Sequence, residues 1–359
     1  MTLFLFLMSM LVGLFTTYVC IHLLKPVALH IGLIDTPGGR KTHAAPVPLI
    51  GGIAIFMGFC FSLLCLNISL SDYRSLLAGS GILVLIGVMD DFHELTPRVR
   101  LIGQCLATLL LIEWGHLSVV HLGNLFSFGN VNLGMWSLLI TIVLVLGFIN
   151  AINMIDGQDG LAGLVVLGQA FLFACLSYQL HEMHNVYLLI LLMSMLCVFL
   201  FFNLSFSAKK CASIFMGDAG STFLGFVIAW FAVDLSQLML TNPSTQLTLN
   251  PITILWVLAY PLFDMLSVIA HRLQTRRSPF IASRDHLHYL LLDRGTRPVI
   301  VPFFIFALSV GLGLIGLAMA EMHVSEPWQL FLFVAVFSGY FITMTILHKS
   351  LLNFFPNLE

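Results

Sequence analysis

Long apolar stretches make up most of this sequence, and short polar loops separate them. An α-helix of about 20 residues crosses the hydrocarbon core of a bilayer, and ends shielded by protein can shorten it. Eleven stretches come near this length, at residues 2–22, 46–66, 75–90, 101–115, 133–150, 160–179, 185–203, 219–236, 252–270, 299–319 and 328–347. The pattern predicts an all-α polytopic membrane protein with about 11 transmembrane helices.

Composition supports the membrane assignment. Apolar residues make up 59% of the 359 residues and charged residues 9%, and the mean hydropathy is +1.01. An ordinary soluble domain has about a quarter of its residues charged. The net charge of −2 gives no argument for binding nucleic acid. With no internal repeat or linker, residues 1–359 are predicted to form a single membrane domain.

Positive charge is distributed unequally between the two sets of predicted loops. Of the 15 Lys and Arg residues, 14 lie in one set, from Lys25 to Lys349, and only Arg74 lies in the other. Loops rich in Lys and Arg stay in the cytoplasm. The N-terminus is therefore predicted to be periplasmic and the C-terminus cytoplasmic.

Acidic residues at the cytoplasmic ends of the predicted spans are the first sign of a site. A carboxylate at the bilayer centre costs about 2.5–3.5 kcal/mol on insertion scales, so acids in or beside spans usually have a function. Taken singly, each could be an ordinary acid at a helix end. Six converge on the cytoplasmic side, at Asp90, Asp91, Asp156, Asp159, Asp218 and Asp264. The predicted active site therefore lies at the cytoplasmic face.

Three local patterns surround these acids. In residues 148–160, two Asn, two Asp and two Gly crowd the start of a helix, where backbone amides and the helix dipole favour phosphate. In residues 215–222, Asp218 stands at a helix start between glycines and hydroxyls. The adjacent Asp90 and Asp91 repel each other unless a cation or arginines such as Arg98 and Arg100 neutralise them.

Oxygen ligands of this kind predict Mg²⁺, with Mn²⁺ as the alternative, and not zinc. Mg²⁺ completes its coordination shell with water and substrate phosphates, so a diphosphate substrate fits this inventory. Donors for the phosphate oxygens are expected from the basic loop 271–297, which contains Arg272, Arg276, Arg277, Arg284, His286 and His288.

In this order and spacing, four motifs resemble the polyprenyl-phosphate N-acetylhexosamine-1-phosphate transferases. They are Asp90-Asp91, Asn150-x-x-Asn153-x-x-Asp156-Gly-x-Asp159-Gly160, Phe215-Met-Gly-Asp218-x-Gly-Ser and the histidine loop around His286 and His288. The resemblance runs from about Lys25 to Leu291. The segments Lys41-Thr-His43-x-x-Pro-Val-Pro-Leu-Ile-Gly51-Gly52 and Ser278-Pro-Phe280 are most similar to members that use undecaprenyl phosphate and UDP-GlcNAc.

The resemblance implies a reaction at the bacterial inner membrane, with the chain as a multi-pass protein. Undecaprenyl phosphate attacks the β-phosphorus of UDP-GlcNAc and gives undecaprenyl-pyrophosphoryl-GlcNAc and UMP. This is the first lipid-linked step of enterobacterial common antigen and O-antigen synthesis. The implied partners are UDP-GlcNAc, undecaprenyl phosphate and the bilayer, and the sequence leaves a homo-oligomer open.

The resemblance also implies roles for individual residues. Asp218 is expected to bind the metal with help from Asn153. Asp159 and Phe215 are expected to hold the uracil, and Arg100 and the 284–288 loop the diphosphate. The implied substrate-binding set is Lys41, Arg100, Asn153, Asp156, Asp159, Phe215, Arg284 and His288. The implied catalytic set is Asp90, Asp91 and His286.

Some alternatives stay open on the sequence. The sugar could be another N-acetylhexosamine, including the phospho-MurNAc-pentapeptide of the peptidoglycan relative, although its histidine loop differs. A CDP-alcohol phosphotransferase would have an Arg and a later pair of spaced Asp residues after Asp159-Gly160, but this sequence continues Leu-Ala-Gly. An ion-coupled transporter would place its acids near the bilayer midplane. Because a phosphate monoester loses its second proton near pH 6, Asp90 and Asp91 could position other groups in a direct displacement. Asp264 could pair with Arg272 or belong to the site, and the roles of Asn203 and His288 are ambiguous.

Overall fold

The computed structural model of this chain describes residues 3–36, 46–204, 212–241, 250–278 and 283–354. Within them lie two short antiparallel strands, β1 (Ile34–Asp35) and β2 (Val47–Pro48). A 3₁₀ turn, Gly134–Trp136, leads into α5. The α-helices are α1 (Leu3–Ile31), α2 (Gly51–Leu64), α3 (Arg74–His93), α4 (Pro97–Glu113), α5 (Ser137–Ile155), α6 (Leu161–Gln179), α7 (Met183–Asn203), α8 (Gly217–Thr241), α9 (Pro251–Val257), α10 (Ala259–Gln274), α11 (Leu287–Asp293), α12 (Ile300–Glu321) and α13 (Glu326–Phe354).

The all-α membrane class is confirmed, and every predicted apolar segment falls on a helix. In the described part of the chain, eight helices are long and apolar enough to cross a bilayer, and the pair α9–α10 brings the count to nine. Helices α2 and α4 are shorter, with 14 and 17 residues. The number of spans and their orientation in the membrane therefore stay predictions.

The predicted span 252–270 consists of two helices, α9 and α10, which meet at an angle of 75°. Pro261 lies in the first turn of α10, where a missing N–H costs little. Proline cannot donate to the carbonyl four residues earlier, which is that of Val257. Gln169 on α6 donates its side-chain amide to that carbonyl at 3.4 Å instead. A buried side chain thus satisfies the backbone group that the break exposes.

Helix α8 forms the centre of the bundle, and α13 lies at its edge. In the most apolar 18-residue stretch of α8, 94% is buried inside the protein, whereas only 6% of the corresponding stretch of α13 is buried. Small residues let α2 and α3 approach α8 closely. A Cβ atom added to Gly52 would lie 2.2 Å from the backbone nitrogen of Gly220, and one added to Gly87 would lie 2.3 Å from the Cα of Ala219. Close backbone contact of this kind is typical of helices packed in membranes.

The two ends of α8 carry different acids. Asp218 lies in its first turn. Asp234 lies 16 residues later, about 24 Å along the axis, and accepts a hydrogen bond from Asn185 at 2.7 Å. The motifs of the sequence therefore gather around one end of the bundle, where α8 begins.

Candidate active site

Asp91 caps the start of α8. Its Oδ1 accepts the backbone N–H of Asp218 at 2.8 Å, and its Oδ2 accepts that of Ala219 at 3.4 Å. Gly217 has a φ of 73°, and a Cβ atom there would lie 2.5 Å from Oδ2 of Asp91. A carboxylate at a helix N-terminus satisfies free amides and the helix dipole. Asp91 therefore fixes the position of Asp218 through the backbone.

The side chain of Asp218 lies among polar groups from two other helices. Asn153, near the end of α5, donates its amide group to Oδ1 of Asp218 at 2.6 Å and to Oγ of Ser221 at 2.9 Å. The carboxyl group of Asp90 also contacts that of Asp218. The structure thus brings together Asp90, Asp218 and Asn153.

Asp90 is held by a backbone amide just after α3 and by an arginine on α4. Its Oδ1 accepts the backbone N–H of Leu95 at 2.6 Å, and Nε of Arg100 lies 3.3 Å from its Oδ2. Arg100 is 38% exposed, so its guanidinium can also reach a ligand. A narrow cleft reaches this pair, lined by Leu83, Ile86, Gly87, Asp90, Arg100, Gln104, Asp218 and Thr222.

Asp156 follows α5 and adds a further acid to the cluster. Burial and, to a smaller extent, the negative charges of Asp218 and Asp159 together raise its pKa to about 8. The loop that carries it is anchored by Asn203, which accepts the N–H of Gly160 at 2.6 Å and donates to the carbonyl of Ile214 at 2.9 Å. Asn203, ambiguous in the sequence, thus ties the loop 156–160 to the segment before Asp218.

His286 is oriented by a buried carboxylate. Its Nδ1 lies 2.7 Å from Oδ2 of Asp264, which is fully buried in α10. Oδ1 of Asp264 accepts the N–H of Leu287 at 3.0 Å and the hydroxyl of Tyr340 at 2.9 Å. Asp264 therefore bonds to His286 and holds the histidine loop to α10. The sequence left Asp264 open as a partner of Arg272 or a site residue, and it did not identify Tyr340, which lies in the apolar helix α13 with no motif around it.

His288 packs against the loop that carries Asp156. A Cβ atom added to Gly157 would lie 2.5 Å from Nε2 of His288 and 2.8 Å from Oη of Tyr289. Burial and, to a smaller extent, the neighbouring His286 together lower the pKa of His288 to about 3. Among the described residues, neither ring nitrogen of His288 has a hydrogen-bond partner. The Asp-Gly-x-Asp motif and the histidine loop thus meet at a glycine.

The arginines of the basic loop have identifiable partners. Arg284 pairs with Asp293 and lies over the ring of Tyr289, with its Cζ 4.7 Å from the ring centre. Arg272 donates to Ser283 at 2.7 Å and lies 3.7 Å from Asp285. Burial alone would raise the pKa of Asp285, but the bond from Ser283 and the adjacent positive groups outweigh it and leave that pKa lowered.

Phe215 is positioned by backbone pairing with the segment after β2. Its N–H donates to the carbonyl of Pro48 at 2.8 Å, and its carbonyl accepts the N–H of Gly51 at 2.9 Å. The Pro-Val-Pro-Leu-Ile-Gly-Gly motif therefore contacts the Phe-Met-Gly-Asp motif directly. Lys41 lies outside the described residues.

The oxygen atoms around Asp218 fit a hard divalent cation. Asp218 contacts Asp90, and its charge acts on both Asp91 and Asp156. Like charges at this separation repel unless a proton or a cation intervenes. Asn153 uses its amide NH₂ group within the cluster, so its oxygen is the donor that it offers a cation. Carboxylate and amide oxygens are ligands that Mg²⁺ and Mn²⁺ prefer.

Comparison with known proteins gives one family. Residues 73–236 match the model of glycosyl transferase family 4. Three relatives share the name undecaprenyl-phosphate alpha-N-acetylglucosaminyl 1-phosphate transferase. The Yersinia pestis protein is 32% identical over 321 residues, 89% of this chain and 86% of its own. The Escherichia coli K12 protein is 31% identical over 331 residues, which cover 91% of this chain and 87% of its own. The Haemophilus influenzae protein is 31% identical over 340 residues, which cover 93% of this chain and 91% of its own.

Proposed function

Since this chain belongs to glycosyl transferase family 4 and is a multi-pass membrane phosphotransferase, we propose that it transfers GlcNAc 1-phosphate from UDP-GlcNAc to undecaprenyl phosphate. The products are undecaprenyl-pyrophosphoryl-GlcNAc and UMP. We assign this reaction to the cytoplasmic face of a bacterial inner membrane, as the first lipid-linked step of surface polysaccharide synthesis. The acceptor and the sugar are taken from the names of the relatives.

The observation that carries the proposal is the cluster around the start of α8. Asp90, Asp91, Asn153 and Asp218 come from three different helices, and the hydrogen bonds from Asn153 and to Asp91 place them within one small region. The acidic cluster offers a site for a cation, and the adjacent Arg100 offers hydrogen-bond donors for phosphate oxygens. A diphosphate substrate requires both kinds of group to neutralise its charge. A transporter would not need the two kinds of group at one end of its bundle.

We propose a single displacement at phosphorus. An oxygen of the prenyl phosphate forms a bond to the β-phosphorus of UDP-GlcNAc, while the bond from this phosphorus to the bridging oxygen breaks. The bridging oxygen leaves on UMP with its electron pair. Much of the attacking phosphate is already dianionic at pH 7, so no proton needs to be removed.

The engaged state of Asp90 and Asp91 supports this mechanism. Both oxygens of Asp91 accept backbone amides of α8, and those of Asp90 contact Leu95 and Arg100. A nucleophile would need one oxygen free in line with the phosphorus. We therefore assign both acids to positioning, with Asp91 acting on Asp218 and Asp90 on Arg100.

We assign the cation to Asp218 and Asn153, with Asp90 and Asp156 close to them, and Mg²⁺ or Mn²⁺ as the ion. When bound there, such an ion supplies charge neutralisation for the diphosphate. Arg100 then donates to phosphate oxygens on the α4 side. His286, whose Nδ1 is occupied by Asp264, offers its Nε2 to the phosphates from the other side. The apolar cleft wall at Leu83 and Ile86 is where we place the first prenyl units.

A labelled-sugar assay tests the proposal. Membranes containing this protein, undecaprenyl phosphate, Mg²⁺ and UDP-GlcNAc labelled in the sugar are expected to form a labelled lipid that butanol extracts. Added UMP should reverse the reaction, because one phosphoanhydride replaces another. Labelling from a different UDP-N-acetylhexosamine only would keep the chemistry and reject the sugar. Absence of any labelled lipid, with the protein present in the membrane, would reject the transferase itself.

A further inference from the structure

Two histidines and an aspartate meet away from the acidic cluster. His271 lies in the last turn of α10, Asp285 stands just before α11, and His348 lies near the end of α13. One ligand atom from each lies within 4.8 Å of the other two. The rings of His271 and His348 are stacked, with centres 4.2 Å apart and an angle of 5°. Asp285 is buried and the two histidines are partly buried.

From this arrangement we infer a second metal site, in which His271, Asp285 and His348 bind a zinc-class divalent ion with a water molecule as the fourth ligand. Two imidazoles and one carboxylate suit borderline ions such as Zn²⁺, Co²⁺ or Ni²⁺. The set differs from the all-oxygen group around Asp218, which suits Mg²⁺. The two sites are therefore expected to take different ions.

Binding requires a limited rearrangement. Ligand atoms on a tetrahedral Zn²⁺ at bonds of about 2.0–2.1 Å lie ~3.3 Å apart, so the present separations must shorten. Two parallel rings cannot both point a lone pair at one ion, so one imidazole must turn about its Cβ–Cγ bond. Both histidine side chains are partly exposed, which leaves room for that turn. The neighbouring Arg272, which lies 3.7 Å from Asp285, offsets part of the gain, so we expect moderate affinity.

At this location, a bound ion would link α13 to the histidine loop. Helix α13 is mostly exposed, and this site would join it to α10 and to the residue directly before His286. Tyr340 on the same helix bonds to Asp264, which orients His286. An ion at His348 would therefore restrain the helix and the histidine loop together.

Zinc binding to the purified full-length chain tests the inference without substrates. The protein is prepared in detergent, freed of any histidine tag and of metals, and equilibrated with Zn²⁺ in excess Mg²⁺. Metal analysis should give one Zn²⁺ per chain, and Zn²⁺ should raise the melting temperature. His348→Ala should bind at least tenfold more weakly and lose this thermal shift. His271→Asn provides a second variant should His348→Ala fail to fold.

Two controls separate this site from other sources of binding. Asp218→Asn should bind Zn²⁺ as the unmodified chain does, since it alters only the acidic cluster. His30→Ala removes an exposed histidine at the end of α1 and should also have no effect. Unchanged binding in both His348→Ala and His271→Asn would overturn the inference. Loss of binding in Asp218→Asn would do so too, because the ion would then occupy the acidic cluster.

Discussion

The Nδ1 atom of His286 lies 2.7 Å from Oδ2 of Asp264, and both side chains are buried. The carboxylate therefore fixes which ring nitrogen remains for a ligand, namely Nε2. The same carboxylate accepts hydrogen bonds from the backbone of Leu287 and from Tyr340. A single acid in α10 thus controls the orientation of the histidine loop.

Replacing Asp264 by Asn is expected to lower kcat by at least about tenfold, with a smaller change in KM. The carboxylate uses one oxygen for His286 and the other for Leu287 and Tyr340, whereas asparagine has only one acceptor oxygen and no charge. His286 would then be poorly oriented, and loss of one donor to developing charge costs about 10²–10³-fold. Initial rates of labelled lipid formation at varied UDP-GlcNAc give both constants. Tyr340→Phe removes only the hydroxyl bond and should cost less. Equal losses in the two variants would point to a purely structural network.

Asp218→Asn is expected to reduce turnover by about 10²-fold or more, because it removes a charge from the proposed cation site. The protein should remain in the membrane at its usual level. Asp234→Asn is the matched control, since it makes the same change on the same helix at the other end, where Asp234 pairs with Asn185. Lipid labelling with both variants at saturating Mg²⁺ gives the comparison. An active Asp218→Asn protein would remove the metal assignment.

Much of this fold was predictable from the sequence, because hydrophobicity alone identifies helices in a membrane protein. All eleven apolar segments lie on helices. Pro261 in the sequence signals a kink in the segment 252–270, but it does not show that the helix ends three residues earlier, at Leu258, or that the bend reaches 75°. Its stability depends on Gln169, which is distant in sequence and donates to the carbonyl of Val257. The number of membrane-spanning helices depends on how each helix sits in the bilayer, and the sequence indicates this only through the length of each apolar segment.

The site was predictable as a set of motifs but not as a set of bonds. Asp90, Asp91, Asn153 and Asp218 share one region, as their predicted common face requires. That Asp91 caps α8 could not be read from the chain, since its partners are backbone amides 127 residues away. Likewise, residue types alone give no way to pair Asp264 with His286 rather than with Arg272. Such pairings depend on the packing of α10, α11 and α13.

The direct displacement predicts that UMP appears only when undecaprenyl phosphate is present. A covalent phospho-enzyme would release one UMP per chain from UDP-GlcNAc alone, because its first half-reaction needs no acceptor. Rapid mixing of stoichiometric enzyme and UDP-GlcNAc labelled in the uridine, followed by separation of UMP, measures this burst. We expect no burst without the lipid and full release after its addition. A burst near one equivalent would establish the two-step route.

Gly52→Ala is expected to destabilise the protein by about 1–3 kcal/mol, the usual cost of overpacking. Its Cβ would lie 2.2 Å from the backbone nitrogen of Gly220, which cannot turn away as a side chain could. Gly311→Ala on α12 is the control, because a Cβ there meets nothing within 4 Å. Thermal unfolding of the two purified variants should show a lower melting temperature for Gly52→Ala alone. Equal melting temperatures would mean that α2 and α8 separate readily.

His288 is expected to make the protein less stable as the pH falls below about 6.5. Burial lowers its pKa to about 3 in the folded chain, whereas an unfolded histidine has a pKa of about 6.5. Above pH 6.5 the ring is neutral in both states and contributes no pH dependence. Between pH 6.5 and 3 only the unfolded state binds the proton, so unfolding becomes more favourable across that range.

Melting temperatures of the unmodified chain and His288→Phe between pH 7.5 and 5 test this. The unmodified chain should lose more stability on acidification than His288→Phe does, because the variant has no proton to bind at this position. All other titrating groups are common to both proteins and cancel in the difference. His93→Phe removes an exposed histidine and should follow the unmodified chain. Parallel curves for the unmodified chain and His288→Phe would mean that water or a ligand reaches the ring, and that its neutral state is not fixed by burial.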